Sequence, residues 1–232
     1  YPSQVIYTTS ANLPKERFIS TATMIAAGGY HSLAVGVFQT ETGVVSTATS
    51  MLGWGWNEYG QLGFETSGFA YQAVPEFARI GNGPNASFLS GIRKIAAGER
   101  HTIVLTGTAH TGQSGVNTNR IRVMGDNSYG QCGNTEAFDS EEIKFATNLL
   151  LEAVDEENTN QIPVTDGLDV AAGRFHSVIV RGTQEAPDEE TGEEGAILES
   201  TVYAFGRNND GQLGKEPGEL GTSVVKDLVE IK

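Results

Sequence analysis

Apolar residues in this chain gather in short runs, each cut off by glycine, asparagine or aspartate. Three of these runs, "HSLAV" (His31 to Val35), "HTIVL" (His101 to Leu105) and "HSVIV" (His176 to Val180), alternate along the chain with three others, "SMLGWGW" (Ser50 to Trp56), "IRVMG" (Ile121 to Gly125) and "TVYAFG" (Thr201 to Gly206). Runs of this length, rich in β-branched and aromatic residues and dense in glycine, predict strands and exclude a mainly helical chain. One segment departs from the pattern. Between Asp139 and Asn158 the apolar residues Ile143, Phe145, Ala146, Leu149, Leu150 and Ala153 fall near helical spacing, which predicts a short inserted helix, with an outer strand as the alternative.

The runs belong to a repeat with two halves. The first half reads "IAAGGYHSLAV", "IAAGERHTIVL" and "VAAGRFHSVIV"; the second reads "GWGWNEYGQLG", "VMGDNSYGQCG" and "AFGRNNDGQLG". The glycine after Ala-Ala falls at Gly28, Gly98 and Gly173, steps of 70 and 75, and the Gly-Gln glycine at Gly60, Gly130 and Gly211. The frame holds while the connections vary in length, as when packing fixes the strands and loops absorb insertions. On this frame residues 1–24 read as a lead-in, or as the outer strand of a preceding unit. Three repeats follow at 25–90, 91–167 and 168–232. The paired alanines suit strands that converge on a common axis, where only small side chains leave room for neighbouring backbones. The Asn-x-x-Gly-Gln stretch suits a tight reversal at a strand end.

These residues resemble the regulator of chromosome condensation (RCC1) repeat family, which pairs Ala-Ala-Gly-x-x-His-Ser/Thr with Gly-x-Asn-x-x-Gly-Gln-Leu-Gly. The resemblance covers about Ile25 to Lys215 and implies a β-propeller of four-stranded blades, about seven in a full ring, of which this chain holds three. Asp126 and Cys132 depart from the pattern at positions held elsewhere by Trp56 and Arg207 and by Leu62 and Leu213. Propellers close with about 4 to 8 blades. The expectation is therefore a ring completed by further chain segments or by a partner, with "GTSVVKDLVEIK" as the lead-in to another repeat.

Charge narrows the partners. Lys and Arg number 15 against 29 Asp and Glu, a formal net charge of -14, which disfavours direct contact with nucleic acid. No apolar run is long enough to insert in a membrane as a helix, and the first residues lack the pattern of a signal peptide. With a single cysteine, the composition points to an intracellular location, cytoplasm or nucleus, with an organelle matrix open.

Candidate chemistry is sparse. His31, His101 and His176 recur at one place per unit, which spreads them around an axis and argues for local bonds within each blade rather than a metal site. Cys132 aligns with two leucines and reads as a buried apolar residue rather than a nucleophile. No phosphate loop, dinucleotide fingerprint or nucleophile elbow occurs, so neither an enzyme nor a cofactor is expected. An Asn85-Ala86-Ser87 sequon and an acidic stretch from Gly182 to Ser200 read as chance and as a solvated hairpin tip. What varies inside the fixed frame is a set of side chains with hot-spot chemistry: Tyr30, Arg100, Arg174 and Phe175 after the Ala-Ala-Gly, and Trp56, Asp126 and Arg207 before the turn asparagine. They predict a protein-binding face. The expected role is a non-catalytic interaction scaffold whose partner is a small GTPase, a ubiquitin-ligase component or an assembly factor. The alternative implied by the family name is guanine-nucleotide exchange on a Ran-like GTPase.

Overall fold

The computed structural model describes residues 6–7, 17–38, 49–66, 70–81, 86–107, 119–134, 141–151, 162–185, 190–191, 195–222 and 224–231. Within them the chain is all-β. The first sheet holds β1 (Ile6–Tyr7), β2 (Arg17–Ala27), β3 (His31–Phe38), β4 (Ser50–Trp56) and β5 (Tyr71–Phe77), in that order. The second holds β6 (Arg79–Ile80), β7 (Ser87–Phe88), β8 (Ile92–Ala97), β9 (His101–Thr106), β10 (Arg120–Asp126) and β11 (Glu142–Asn148), with β8 at one edge and the small β6–β7 hairpin beyond β11. Two short strands, β12 (Leu150–Leu151) and β13 (Ile162–Pro163), pair with each other. The third large sheet is β14 (Gly167–Ala172), β15 (His176–Gln184), β16 (Ile197–Arg207) and β17 (Val224–Glu230). Each large sheet contains a four-stranded antiparallel meander, and the Ala-Ala strands β2, β8 and β14 meet from sheet to sheet. This is the blade arrangement of a β-propeller, in which only small side chains fit where inner strands converge.

Apolar residues fill the space between blades. One buried cluster runs from Leu33 and Met51 in the first blade through Ile103 and Val123 in the second to Val170, Ile179 and Phe205 in the third. Cys132 lies in it fully buried, like Leu62 and Leu213. Burial and the neighbouring Asp126 push its thiol well above the usual range, so it is held as the neutral apolar group that its alignment predicts.

Several expectations need correction. The segment predicted to contain a helix is extended: β11 pairs antiparallel with β10 from Glu142 opposite Asp126 to Asn148 opposite Arg122. Its apolar residues are sorted by a packed blade edge, and cross-strand hydrogen bonds outweigh a weak 3.6-residue spacing. The remainder of that segment, 139–140 and 152–158, lies outside the described residues. "GTSVVKDLVEIK" is not a lead-in, because β17 closes its own sheet as the outer strand, with Val224 opposite Arg207 and Glu230 opposite Tyr203. Inner and outer strands share a short apolar composition, and only pairing separates them. Strand β2 starts at Arg17, inside the segment 1–24 set apart as a lead-in. Asn85 and residues 186–189 and 192–194 of the acidic stretch fall outside the described residues.

The first glycine of the turn motif has a conformational cause. Gly55, Gly125 and Gly206 have φ of 102°, 111° and 112°, and each sits where the register between third and outer strand shifts. Such a bulge takes a residue with positive φ. Space is short as well, since a Cβ there would lie 2.6 Å from Tyr30 O, 2.4 Å from Arg100 O or 2.6 Å from Phe175 O.

Candidate functional site

The repeated motifs build two structures, one inside the blade stack and one on its surface. Within the turn, Asn57 Oδ1 accepts from Leu62 N at 2.9 Å while Asn57 Nδ2 donates to Phe64 O at 2.6 Å, so one side-chain amide replaces both partners the bent backbone lacks. Asn127 and Asn208 repeat the arrangement, donating to Gly133 O and Lys215 O at 3.1 and 3.2 Å. Gln61, Gln131 and Gln212 each take a backbone N–H two residues back.

The histidines were expected to bond locally within their blades; instead His31 and His101 bridge blades. His31 Nε2 lies 3.0 Å from Thr102 Oγ1 of the second blade, and that hydroxyl donates to Gln61 O of the first blade at 2.8 Å. His101 Nε2 lies 2.9 Å from Ser177 Oγ of the third blade, which donates to Gln131 O at 2.7 Å. A hydroxyl has one hydrogen, already given to the carbonyl, so the imidazole must be the donor and carries its proton on Nε2. Its Nδ1 is buried without a partner in both cases, so a second proton there would have none. Burial accordingly pulls His31 down to about 4 and His101 to about 3, the latter helped by the nearby His31 and His176. We call this His–hydroxyl–carbonyl chain the clasp. Backbone bonds from Gly29 N to Gly98 O (3.1 Å) and Glu99 N to Arg174 O (3.2 Å) run beside it.

On the surface, the tight connection after each inner strand and the turn after each third strand meet at one end of the blades. Tyr30, 64% exposed, meets Trp56 edge-on at 5.5 Å, and Trp56 meets Tyr59 edge-on at 5.4 Å. From the second blade the Arg100 guanidinium covers both, 5.4 Å from Trp56 and 5.3 Å from Tyr59, and donates to Tyr59 Oη at 3.1 Å. Glu99 stands between Arg100, at 3.8 Å, and Arg174 of the third blade, which it contacts through both carboxylate oxygens. Arg174 lies 4.9 Å over Phe175, Phe175 packs at 4.9 Å on Tyr129, and Arg207 is 5.8 Å from each of those rings. The result is a ladder of rings and guanidinium groups across three blades. Beside it an open depression of about 430 Å³ is lined by the small inner-strand ends, from Ala27 and Gly28 to Ala172 and Gly173, with Tyr30, Glu99 and Arg174 at its edge.

Six of the seven predicted contact residues are in the ladder. Asp126 is not: it is 1% exposed, its Oδ1 accepts from Ser128 N at 2.9 Å, and its Oδ2 is buried. A short carboxylate at that position turns back onto the turn backbone, where Trp56 and Arg207 reach outward. Sequence reasoning passed over Tyr59 and Tyr129, which hold the variable place before the turn glycine, a signal available in the motif itself; Glu99 holds a variable place after Ala-Ala-Gly but lay outside the predicted contact set.

Comparison with known proteins agrees with this geometry. The model of the regulator of chromosome condensation (RCC1) repeat matches residues 50–105, from β4 through β9, which takes in Gln61 and Thr102 of the first clasp but not its His31. The chain carries an RCC1 repeat on an RCC1-like propeller fold. Among solved structures, human WBSCR16 superposes with a TM-score of 0.54 at 17% identity, over 98% of this chain and 48% of that one. The crystal structure of Kap60 bound to yeast RCC1 (Prp20) gives a TM-score of 0.50 at 20% identity, over 91% of this chain and 37% of that one. The RCC1-like chain thus spans less than half the length of these neighbours. No curated protein sequence matches it.

Proposed function

We propose that this RCC1-like chain is a non-catalytic interaction module of an intracellular regulator, and that it binds another protein through the ladder face. The single observation behind this reading is the surface row of rings and guanidinium groups from Tyr30 to Arg207, exposed at Tyr30, Tyr129 and Arg174 and half-buried between them. Aromatic rings and arginines dominate binding hot spots, and guanidinium groups already stacked on rings lose little freedom when a partner arrives. The variable positions of a rigid repeat frame are also the natural place for recognition. Candidate partners are a small GTPase, a ubiquitin-ligase component or an assembly factor.

A second reading, drawn from the resemblance to the RCC1 repeat family, is guanine-nucleotide exchange on a Ran-like GTPase. It needs no catalytic constellation here, because exchange works by displacing the nucleotide's surroundings in the partner. Two measurements separate the readings. Faster loss of preloaded fluorescent nucleotide from small GTPases on adding the protein supports exchange; a stable complex with no such acceleration supports the scaffold. In either case the triple variant Tyr30→Ala, Arg100→Ala, Phe175→Ala weakens the complex by at least about 2 kcal/mol. Unchanged affinity would remove the ladder from the binding site.

A further inference from the structure

The third blade differs from the first two in how far its third strand runs. After the outer strand of each blade, the chain donates to the third strand at one equivalent point: Ala78 N to Met51 O, Leu149 N to Ile121 O and Ile231 N to Val202 O. Strands β4 and β10 start one residue before that point, at Ser50 and Arg120, but β16 starts five residues before it, at Ile197. Among the described residues this extra length pairs with β15 alone, Gln184 opposite Ile197 and Thr183 opposite Glu199, and Glu185 N donates to Ala196 O at 2.9 Å just beyond. Strand β15 begins beside Phe175 and β16 ends at Arg207, both in the ladder, so this two-stranded ribbon leaves the blade at the end opposite the ladder.

The ribbon carries aliphatic side chains that its own fold does not use. Every residue from Ile197 to Ser200 is exposed, Ile197 at 58% and Leu198 at 64%. Leu198 is the extra residue of a bulge, opposite the step from Thr183 to Gln184, and bulges re-aim a side chain. A two-stranded ribbon in water gains little from such side chains until something covers them. Charge around the pair has one sign. From Gly182 to Ser200 the sequence holds seven carboxylates and no Lys or Arg, and the exposed Glu185 and Glu199 flank the pair. The nearest cation along β15, Arg181, is held by Asp166 at 2.8 Å. A second copy would set like charges against each other, and nucleic acid or an anionic lipid surface meets the same repulsion.

We propose that the outer part of this ribbon is a docking arm for an extended basic segment of another protein, which lays aliphatic side chains on Ile197 and Leu198 and sets Lys or Arg against Glu185 and Glu199. Aliphatic contacts framed by carboxylates match a segment in which aliphatic and cationic side chains alternate. The arm and the ladder are at opposite ends of the blades, so this inference stands or falls independently of the proposed function.

The probe is a short fluorescein-labelled peptide of alternating lysine and valine, read by anisotropy on the full chain at low salt. It binds, and the double variant Ile197→Ser, Leu198→Ser weakens it at least about tenfold, through the loss of two covered aliphatic side chains. A lysine–serine peptide shows the same weakening on the unsubstituted protein. The triple variant Tyr30→Ala, Arg100→Ala, Phe175→Ala binds the lysine–valine peptide unchanged, which separates failure of the arm from failure of the ladder. Equal affinity for the double variant or for the lysine–serine peptide overturns the proposal, since an acidic chain then attracts any cation. No binding overturns it too, as does loss of binding in the triple variant. Should the double variant fail to fold, hydroxyl-radical footprinting of the unsubstituted protein decides: Ile197 and Leu198 lose reactivity when the peptide is added, and unchanged reactivity overturns the arm. Co-sedimentation with phosphatidylcholine vesicles that the double variant abolishes would place a lipid surface on the pair and overturn the assignment of the occupant.

Discussion

Replacing Thr102 by valine tests the clasp most directly, because the shape of the side chain is kept and only the hydroxyl is lost. Thr102 Oγ1 lies 3.0 Å from His31 Nε2 and 2.8 Å from Gln61 O, and the His31, Gln61 and Thr102 side chains are all buried. Valine therefore leaves an imidazole N–H and a backbone carbonyl without partners in a site that water does not reach. Each orphaned group costs about 1–3 kcal/mol, and burying a methyl in place of the hydroxyl returns about 1 kcal/mol, so the net loss is about 3 kcal/mol. Serine at the same position keeps the hydroxyl and loses one buried methyl, about 1 kcal/mol. In a chain of this size each kcal/mol moves the melting temperature by about 2–4 °C, which places Thr102→Val near a 6–12 °C drop and Thr102→Ser near 2–4 °C. Calorimetry or urea unfolding with an unchanged m-value reads the difference. A double-mutant cycle with His31→Phe should show positive coupling, since the two side chains share one bond. If valine proves no more costly than serine, the hydroxyl does not join the blades and the account of the motif fails.

Other outcomes follow from the same geometry. The buried histidines have folded-state pKa values of about 4 and 3, below the unfolded value of about 6.5, so the unfolded chain binds more protons in acid. Their contribution is intact above pH 6.5 and is lost as pH falls towards 4. At pH 5 each histidine has removed about 2 kcal/mol, and a plot of urea midpoint against pH should flatten over that window in a His31→Phe variant. Gly55→Ala places a Cβ 2.6 Å from Tyr30 O at a φ of 102°, and should cost at least about 1–3 kcal/mol in chemical denaturation, more than Gly81→Ala, where φ is 71° but the space is open. Tyr30→Ala, at a largely exposed ring, should change the melting temperature by no more than the equivalent of about 1 kcal/mol while weakening partner capture; a large loss of stability would make the ladder a structural element instead.

The order of strands and turns in this protein was legible in its sequence because those features are local. A five-residue β-branched run forms a strand wherever it finds an edge, and an asparagine that satisfies Leu62 N and Phe64 O does so within seven residues of its own position. The repeat of those local solutions gave the blades, the buried place of Cys132 and most of the ladder. What the tertiary structure alone decided concerns groups far apart in the chain. His31 finds its partner 71 residues later and His101 finds its own 76 residues later, so no local rule could turn a recurring histidine into a bond between blades. Residues 142–148 became a strand for the same reason: β10 offered a hydrogen-bonding edge that the spacing of apolar residues does not record. Asp126 turned inward because its carboxylate reaches only Ser128 N, whereas Trp56 and Arg207 at that point each reach a side chain of a neighbouring blade. Sequence sets what each unit can form; contact between units settles which polar groups are buried, because that depends on the distance to a neighbour.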